Sequence, residues 1–363
     1  MAGIYTVDQT LQVNDYYSKV IRAKRYKNTI QAILKRGEKP EQWKQQIEVE
    51  DGTTAQNMAA AEGGDFNEAT LEKRVNGYLE VQLQKFRTIK GFLVTDETKE
   101  LPGWTEKKGE KQLARQQRRD AEELAFSIDC TLGSLQEAVE RGTSASTVAK
   151  TRGMMAWLAK LSTVTDAGAT ALHGVQTIPK QFCPQAGLDV DVTSAAAFNE
   201  SLFKAELIKA ALESGDEHLQ LVGLVGLKLK TIMSDWLSHT ETVSGMDTIL
   251  RRNETKTRKL ELICDEFAYD GVSLRTILCN HIGCTVPGTV GNAITPGAVE
   301  YHSGAFIRPE FWSIDTLIPM RKRMLPNRGG GERGFHEAVL RLACRNPLSQ
   351  FRVLHTPAAQ GNG

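Results

Sequence analysis

The stretch TEKKGEKQLARQQRRDAEELAFSIDCTL, residues 105–132, places Leu113, Ala121, Leu124, Ile128 and Leu132 at spacings of three, four and their multiples. That period predicts one long amphipathic helix with a single apolar stripe, close to 40 Å long at ~1.5 Å per residue. Its remaining faces carry Lys107, Lys108, Glu110, Lys111, Arg115, Arg118, Arg119, Asp120, Glu122 and Glu123. A helix so densely charged buries one stripe in its own subunit and leaves the rest to solvent or to a neighbour.

Upstream the period changes to two. Val75, Gly77, Leu79, Val81 and Leu83 fall on one face and Asn76, Tyr78, Glu80 and Gln82 on the other, which predicts a half-buried strand extended past a bend by Phe86 to Val94. Trp43 to Glu50 read as a short strand, and Asp51-Gly52 and Gly63-Gly64 are turn signals. Between them few large apolar side chains occur, so this strand-loop-strand excursion needs a neighbour to lie on. The first 38 residues are polar, with a basic cluster from Arg22 to Lys27 that reads as a solvated face.

Downstream, residues 143–194 are rich in Thr, Ser, Ala and Gly and read as loops with short strands. Thr193 and Ser194 are good helix caps, and Phe198, Leu202, Ala205, Ile208 and Leu212 mark a second amphipathic helix ended by Gly215. A buried strand or turn in HLQLVGLVGL, a helix from Lys228 to Leu237, and two short strands around Asp270-Gly271 follow. PEFWSIDTLIPM reads as a strand broken by prolines, and His336 to Cys344 alternate as a final strand before the chain frays.

Composition narrows the classes. The 363 residues suggest about two domains. The 45 basic and 44 acidic side chains nearly cancel, unlike a polycation built to grip nucleic acid. No apolar run approaches the ~20 residues of a membrane span, and the N-terminus lacks the pattern of a signal peptide. The six scattered cysteines are expected as reduced core thiols in a soluble protein made inside the cell.

Candidate chemistry dissolves on inspection. Gly329, Gly331 and Gly334 in LPNRGGGERGF spell G-x-G-x-x-G, but the following sequence alternates like a strand and no Asp or Glu occurs after Glu337. A dinucleotide site needs a helix there and an acid for the ribose, so a surface loop is expected. Cys279, His281 and Cys284, with Cys264 upstream, offer zinc-type ligands without paired C-x-x-C knuckles. Core or loop cysteines are the expectation. Ser201 and Lys204 match S-x-x-K without its companion motifs.

Three blocks carry a family resemblance. They are Trp43-Lys44 with Ala59 to Gly63, similar to an A-x-x-E-G pattern; Arg74 to Gln82 with Phe86 and Val94 to Thr98; and Lys111 to Ala114, Arg118 to Glu123, then the segment Arg152 to Leu158. The last is similar to an R-x-M-x-G-L strand. Leu317 to Arg323, the glycine loop and Glu337 to Leu340 resemble the closing segment. The chain thus resembles the major capsid proteins of tailed phages with the Hong Kong 97-like fold, in a family formerly catalogued as of unknown function.

The resemblance implies an α+β fold. Residues 1–38 would be an N-terminal arm, 39–76 an extended E-loop hairpin, 77–150 a peripheral domain with a spine helix, 151–328 an axial domain, and 329–363 a return loop, last peripheral strand and tail. It implies self-assembly into pentamers and hexamers that close an icosahedral head around double-stranded DNA, in a virion assembled in the bacterial cytoplasm. Portal, scaffolding and decoration or minor capsid proteins would be partners, with no membrane, cofactor, metal or catalytic residue. Subunit contacts are expected at Trp43, Glu48, Glu50, Asp65 and Glu68, which would meet Arg115, Arg118 and Arg119 of a neighbour, and at Arg328, Glu332 and Arg333 of the glycine loop. A cellular nanocompartment shell of the encapsulin type, or a mixed α/β enzyme, are the alternatives.

Overall fold

The computed structural model describes residues 28–49, 77–96, 112–142, 148–160, 182–215, 218–236, 240–243, 246–249, 265–287, 294, 297–326 and 331–357. In chain order its elements begin with α1 (Thr29–Ile33), β1 (Lys35–Arg36), β2 (Lys44–Val49), β3 (Gly77–Gln82), β4 (Gln84–Arg87), β5 (Phe92–Val94), α2 (Gln112–Leu132) and α3 (Met154–Trp157). They continue with β6 (Leu188–Val190), α4 (Glu200–Ser214), β7 (Leu219–Val225), α5 (Leu227–Asp235), β8 (Thr240–Val243), β9 (Met246–Ile249), β10 (Glu266–Tyr269) and β11 (Val272–Leu278). The chain closes through α6 (Ala298–Tyr301), β12 (Gly304–Ile307), β13 (Trp312–Leu325), β14 (Glu332–Cys344) and β15 (Phe351–His355).

Two sheets organise these parts. The first runs β1-β13-β14-β4, with β5 also paired to β14. One of its faces packs on α2, where Leu124, Ile128 and Leu132 meet Ala338, Leu340 and Leu342 in a common core. The second sheet runs β10-β11-β7-β12-β15-β6. Its inner strands are buried on both sides, as sheets covered on two faces are. Leu219, Leu221 and Val225 join Phe203, Phe306 and Phe351 under α4 and α5, while Leu224, Ala305 and Leu354 join the core of the first sheet. β2 and β3 form a separate antiparallel ribbon, Lys44 opposite Gln82 and Val49 opposite Gly77.

The long helix and the alternating strand are observed where the periods put them, α2 over Gln112–Leu132 and Leu79, Val81 and Leu83 buried together. The expected first turns of the helix, 105–111, lie outside the described residues, as do the basic cluster at 22–27 and the excursion at 50–76.

Several local readings need correction. The segment Arg152 to Leu158 is not a strand but a helical turn, Met154–Trp157. All four of its side chains are buried, so no alternation exists to hold an extended chain, and Met and Ala favour helix. The second helix starts later than Thr193 and Ser194 suggest. Asn199 caps it, its Oδ1 accepting from Leu202 N at 3.0 Å. Its buried face is Phe203, Glu206, Leu207 and Ala210, while Leu202, Ile208 and Leu212 are exposed. Apolar residues surround this helix, so period alone could not choose the stripe. The aromatic cluster of Phe203 with Phe306 and Phe351, at 5.2 and 5.8 Å between ring centroids, does.

Pro319 does not break its strand. β13 runs unbroken through it, and the pairing register shifts between Ile318 and Arg321, a bulge that absorbs the missing N–H. Nor is β14 the final strand, because β15 follows and joins the second sheet beside β12 and β6. β13 and β14 pair as one long hairpin, Leu325 opposite Arg333 and Trp312 opposite Cys344. Gly331 and Gly334 are both crowded. A Cβ on Gly334 would lie 2.5 Å from the Phe92 ring, and one on Gly331, at φ +142°, would lie 2.2 Å from Val94 O.

Candidate assembly surface

The helix arginines predicted to reach a neighbour are drawn along their own helix. Arg119 Nε lies 3.2 Å from Glu123 Oε1 and Arg118 Nε 3.9 Å from Glu122 Oε1, both i,i+4 pairs on the exposed face. Such pairs are weak and leave both partners accessible. Arg115 is half-buried one turn earlier.

The ribbon is anchored at its base. Arg141 lies over the Trp43 ring at 4.7 Å, and Lys44 bridges Glu80, at 3.0 Å, and Glu140. Glu48, opposite Tyr78 in β2, is exposed. Glu50, Asp65, Glu68 and Arg328 lie outside the described residues. At the hairpin turn Arg333 donates through Nε and Nη2 to Pro326 O, at 3.2 and 3.0 Å, and Glu332 stands opposite Val94. Among the described residues, those predicted serve the ribbon base, the helix face and the hairpin end separately and are not brought together.

A cationic surface that sequence reasoning missed lies between them. On the face of the first sheet away from α2, Glu337 is almost fully buried, and its carboxylate gathers Arg323 Nε at 2.5 Å, Arg321 Nη2 at 2.8 Å and Lys85 Nζ at 3.3 Å. Burial opposes the charge on Glu337, but the surrounding cations outweigh it and hold the carboxyl below the usual range. Arg87, in register with Glu337, covers the Phe335 ring at 5.5 Å. One carboxylate among four cations leaves a positive excess on a half-exposed face. The signal was present as Lys85-x-Arg87 and Arg321-x-Arg323, charges two apart on strands. Only the register set them beside one acid.

The catalytic candidates are engaged elsewhere. Lys204 Nζ pairs with Glu200 at 2.7 Å and lies over the Tyr269 ring at 4.8 Å, beside a cleft of about 1110 Å³ lined by Phe198, Ile208 and Trp236. Cys279 Sγ lies 3.6 Å from His281 Nε2, and that nitrogen is turned to Asp129 Oδ2 at 2.6 Å. Cys264 lies outside the described residues. Among the described residues no group of three His, Cys, Asp or Glu side chains is arranged to hold a metal ion, and no helix is long and apolar enough to cross a membrane. Cys130, Cys183, Cys279, Cys284 and Cys344 are buried free thiols.

A zwitterionic helix face and a cationic sheet face with an excess of positive charge are surfaces suited to contact with other chains. The family model described as SU10 major capsid protein matches residues 3–354. The chain belongs to that family. No curated protein matches this capsid chain. Among solved structures, the capsid asymmetric unit of cyanophage A-1(L) is similar at 9% identity with a TM-score of 0.57, over 96% of this chain and 99% of that one. The capsid of cyanophage P-SCSP1u matches at 9% identity and 0.55, over 98% and 96%. The capsid of a native GTA particle matches at 9% and 0.55, over 96% and 97%. Likeness at such identity carries the fold of this capsid protein, and the family match carries its membership.

Proposed function

We infer that this chain is the major capsid protein of a tailed-phage head, and that its activity is self-assembly. The family match across nearly the whole chain is the observation that carries this reading. Its fold is then the Hong Kong 97-like one. α1 and β1 close the N-terminal arm (1–38), and β2 and β3 frame the E-loop (39–76). α2 is the spine helix beside the first sheet, and the second sheet with α4 and α5 is the core of the axial domain. Copies gather as pentamers and hexamers around double-stranded DNA, with portal, scaffolding and decoration or minor proteins as further partners.

The same reading gives the E-loop a role between subunits. From Gln45 to Glu72 the chain carries seven carboxylates, Glu48, Glu50, Asp65 and Glu68 among them, and no Lys or Arg. Such a segment seeks positive charge on a neighbour. Arg115, Arg118 and Arg119 offer some, that of Arg118 and Arg119 already shared with Glu122 and Glu123. The surface of Lys85, Arg321 and Arg323 offers more, because one carboxylate serves all three. Trp43 steadies the base, and Arg328, Glu332 and Arg333 meet neighbours at the hairpin turn.

Electron microscopy of the purified full chain tests the function. Closed shells, or tubes and sheets of capsomers, are the expected result. Small discrete oligomers that never associate further under any salt or concentration would overturn it.

A further inference from the structure

The segment Asn28–Gly37 is held to the subunit in an unusual way. α1 is a single turn, too short to persist alone, and its own N-cap, Asn28, makes no side-chain cap. The cap comes instead from a buried carboxylate about a hundred residues away. Asp129 Oδ1 accepts from Gln31 N at 2.8 Å and Oδ2 from Ile30 N at 3.3 Å. Gln31 Nε2 adds a bond to Ala125 O at 2.8 Å. Ile30 is fully buried against Gly133, where a Cβ would lie 2.5 Å from its Cδ1. Beyond α1, Leu34 is buried in the core of the first sheet, and the backbone pairing that follows it is short. β1 has two residues, both exposed, paired in parallel to Ser313 and Ile314 at the sheet edge, and Gly37 N bonds Ile314 O at 3.0 Å.

Asp129 is also the point where the two sheets meet this segment. Its Oδ2 holds His281 Nε2 at 2.6 Å, and His281 lies just after β11 of the second sheet, packed edge-on against Phe126 of α2 at 5.4 Å. One carboxylate thus joins the segment, the long helix and the second sheet.

We propose that residues 28–37 form a detachable clasp, and that Asp129, steadied by His281, is its latch. Docking then reports whether the second sheet sits correctly on α2, because a shift between them takes His281 away from the carboxylate that caps α1. Release uncovers the β13 edge at Ser313 and Ile314 and withdraws Ile30 and Leu34 from the core of the first sheet. This holds for the folded subunit whether or not copies assemble.

Hydrogen exchange read by peptide mass on the full-length protein tests it, with Asp129→Asn and His281→Gln. Asp129→Asn is expected to speed exchange of amides 30–37 about tenfold or more, while α2 and β7 keep their protection. His281→Gln, which keeps a donor but not the charge, is expected to loosen the same amides to a smaller degree. Equal loss across the clasp, α2 and β7 would make Asp129 a general core residue and overturn the proposal, as would unchanged exchange of the clasp. Should Asp129→Asn fail to fold, His281→Gln is judged by the same two criteria. Shell formation is scored separately, so a failure here is distinct from a failure of the capsid reading.

Discussion

Arg341 and Asp315 stand directly opposite each other on β14 and β13, and Arg341 Nε donates to Asp315 Oδ2 at 2.8 Å inside the subunit. Ser313 Oγ donates to the other carboxylate oxygen at 2.8 Å, and Arg341 Nη2 reaches Gln45 of the ribbon. The pair therefore sits where the hairpin, the ribbon and Gly37 converge, with a Cβ on Gly37 falling 1.8 Å from Asp315 Oδ1. Removing one partner strands a buried charge, at a cost of about 3–5 kcal/mol. Arg341→Ala and Asp315→Ala should each lose that much in urea unfolding of unassembled subunits. The apolar double variant Arg341→Met/Asp315→Leu should lose far less. Additive losses in the double variant would refute the coupling.

The Asp129–His281 pair makes stability depend on alkaline pH. Burial works against an imidazolium at His281, but its bonds to Asp129 and Cys279 prevail and raise its pKa from 6.5 to about 9. A raised histidine contributes fully below the unfolded value, and the contribution fades as pH rises through the folded one. The stability difference between wild type and His281→Gln should be constant below pH 6.5, shrink from there to pH 9, and level off above it at what the neutral imidazole contributes. A difference that stays level across this range would show that His281 is not charged in the fold.

Two glycines with positive φ separate crowding from backbone conformation. Gly215, at φ +65°, ends α4 with nothing within 4 Å of a built Cβ, whereas Gly331, at φ +142°, would press its Cβ on Val94 O at 2.2 Å. Gly215→Ala should cost about 1–2 kcal/mol, the left-handed penalty alone. Gly331→Ala should cost more and should loosen β5 from the hairpin first. Thermal unfolding and exchange of the Phe92–Val94 amides would measure this, and equal losses at the two sites would count against the steric account.

Charge reversal can rank the two cationic surfaces. Arg118→Glu/Arg119→Glu breaks exposed i,i+4 pairs, so subunit stability should change by about 1 kcal/mol. Lys85→Glu/Arg321→Glu also sets like charges around Glu337 and should cost more. Both should impair shell assembly, the second more strongly and with a steeper dependence on salt. Normal shells from Lys85→Glu/Arg321→Glu subunits that still fold would remove this face from the assembly contacts.

Much of this was legible in the chain, though unevenly. The helix of 112–132 and the strand through Leu79, Val81 and Leu83 could be read directly, because a one-sided apolar stripe repeats with the period of its element. Reading failed where side chains are apolar all round. Met154 to Trp157 offered no polar face to set a period, and α4 offered two stripes, of which the aromatic cluster took one. The cationic face was spelled out as alternating charges, but nothing local says that Lys85 and Arg321 share Glu337. What Gly331 and Gly334 make room for, Val94 and Phe92, belongs to another strand.

By itself the sequence determined the long helix of 112–132, the strand through Leu79, Val81 and Leu83, and which family the chain joins, since these rest on period, spacing and residue type along the chain. Tertiary structure alone decided that β13 and β14 pair as a single hairpin, that Glu337 collects three cations, and that Asp129 caps a helix a hundred residues away while holding His281. Each of those is a contact between segments remote in sequence. Such contacts are set by strand register and by the packing of two cores, and neither leaves a periodic trace in the chain.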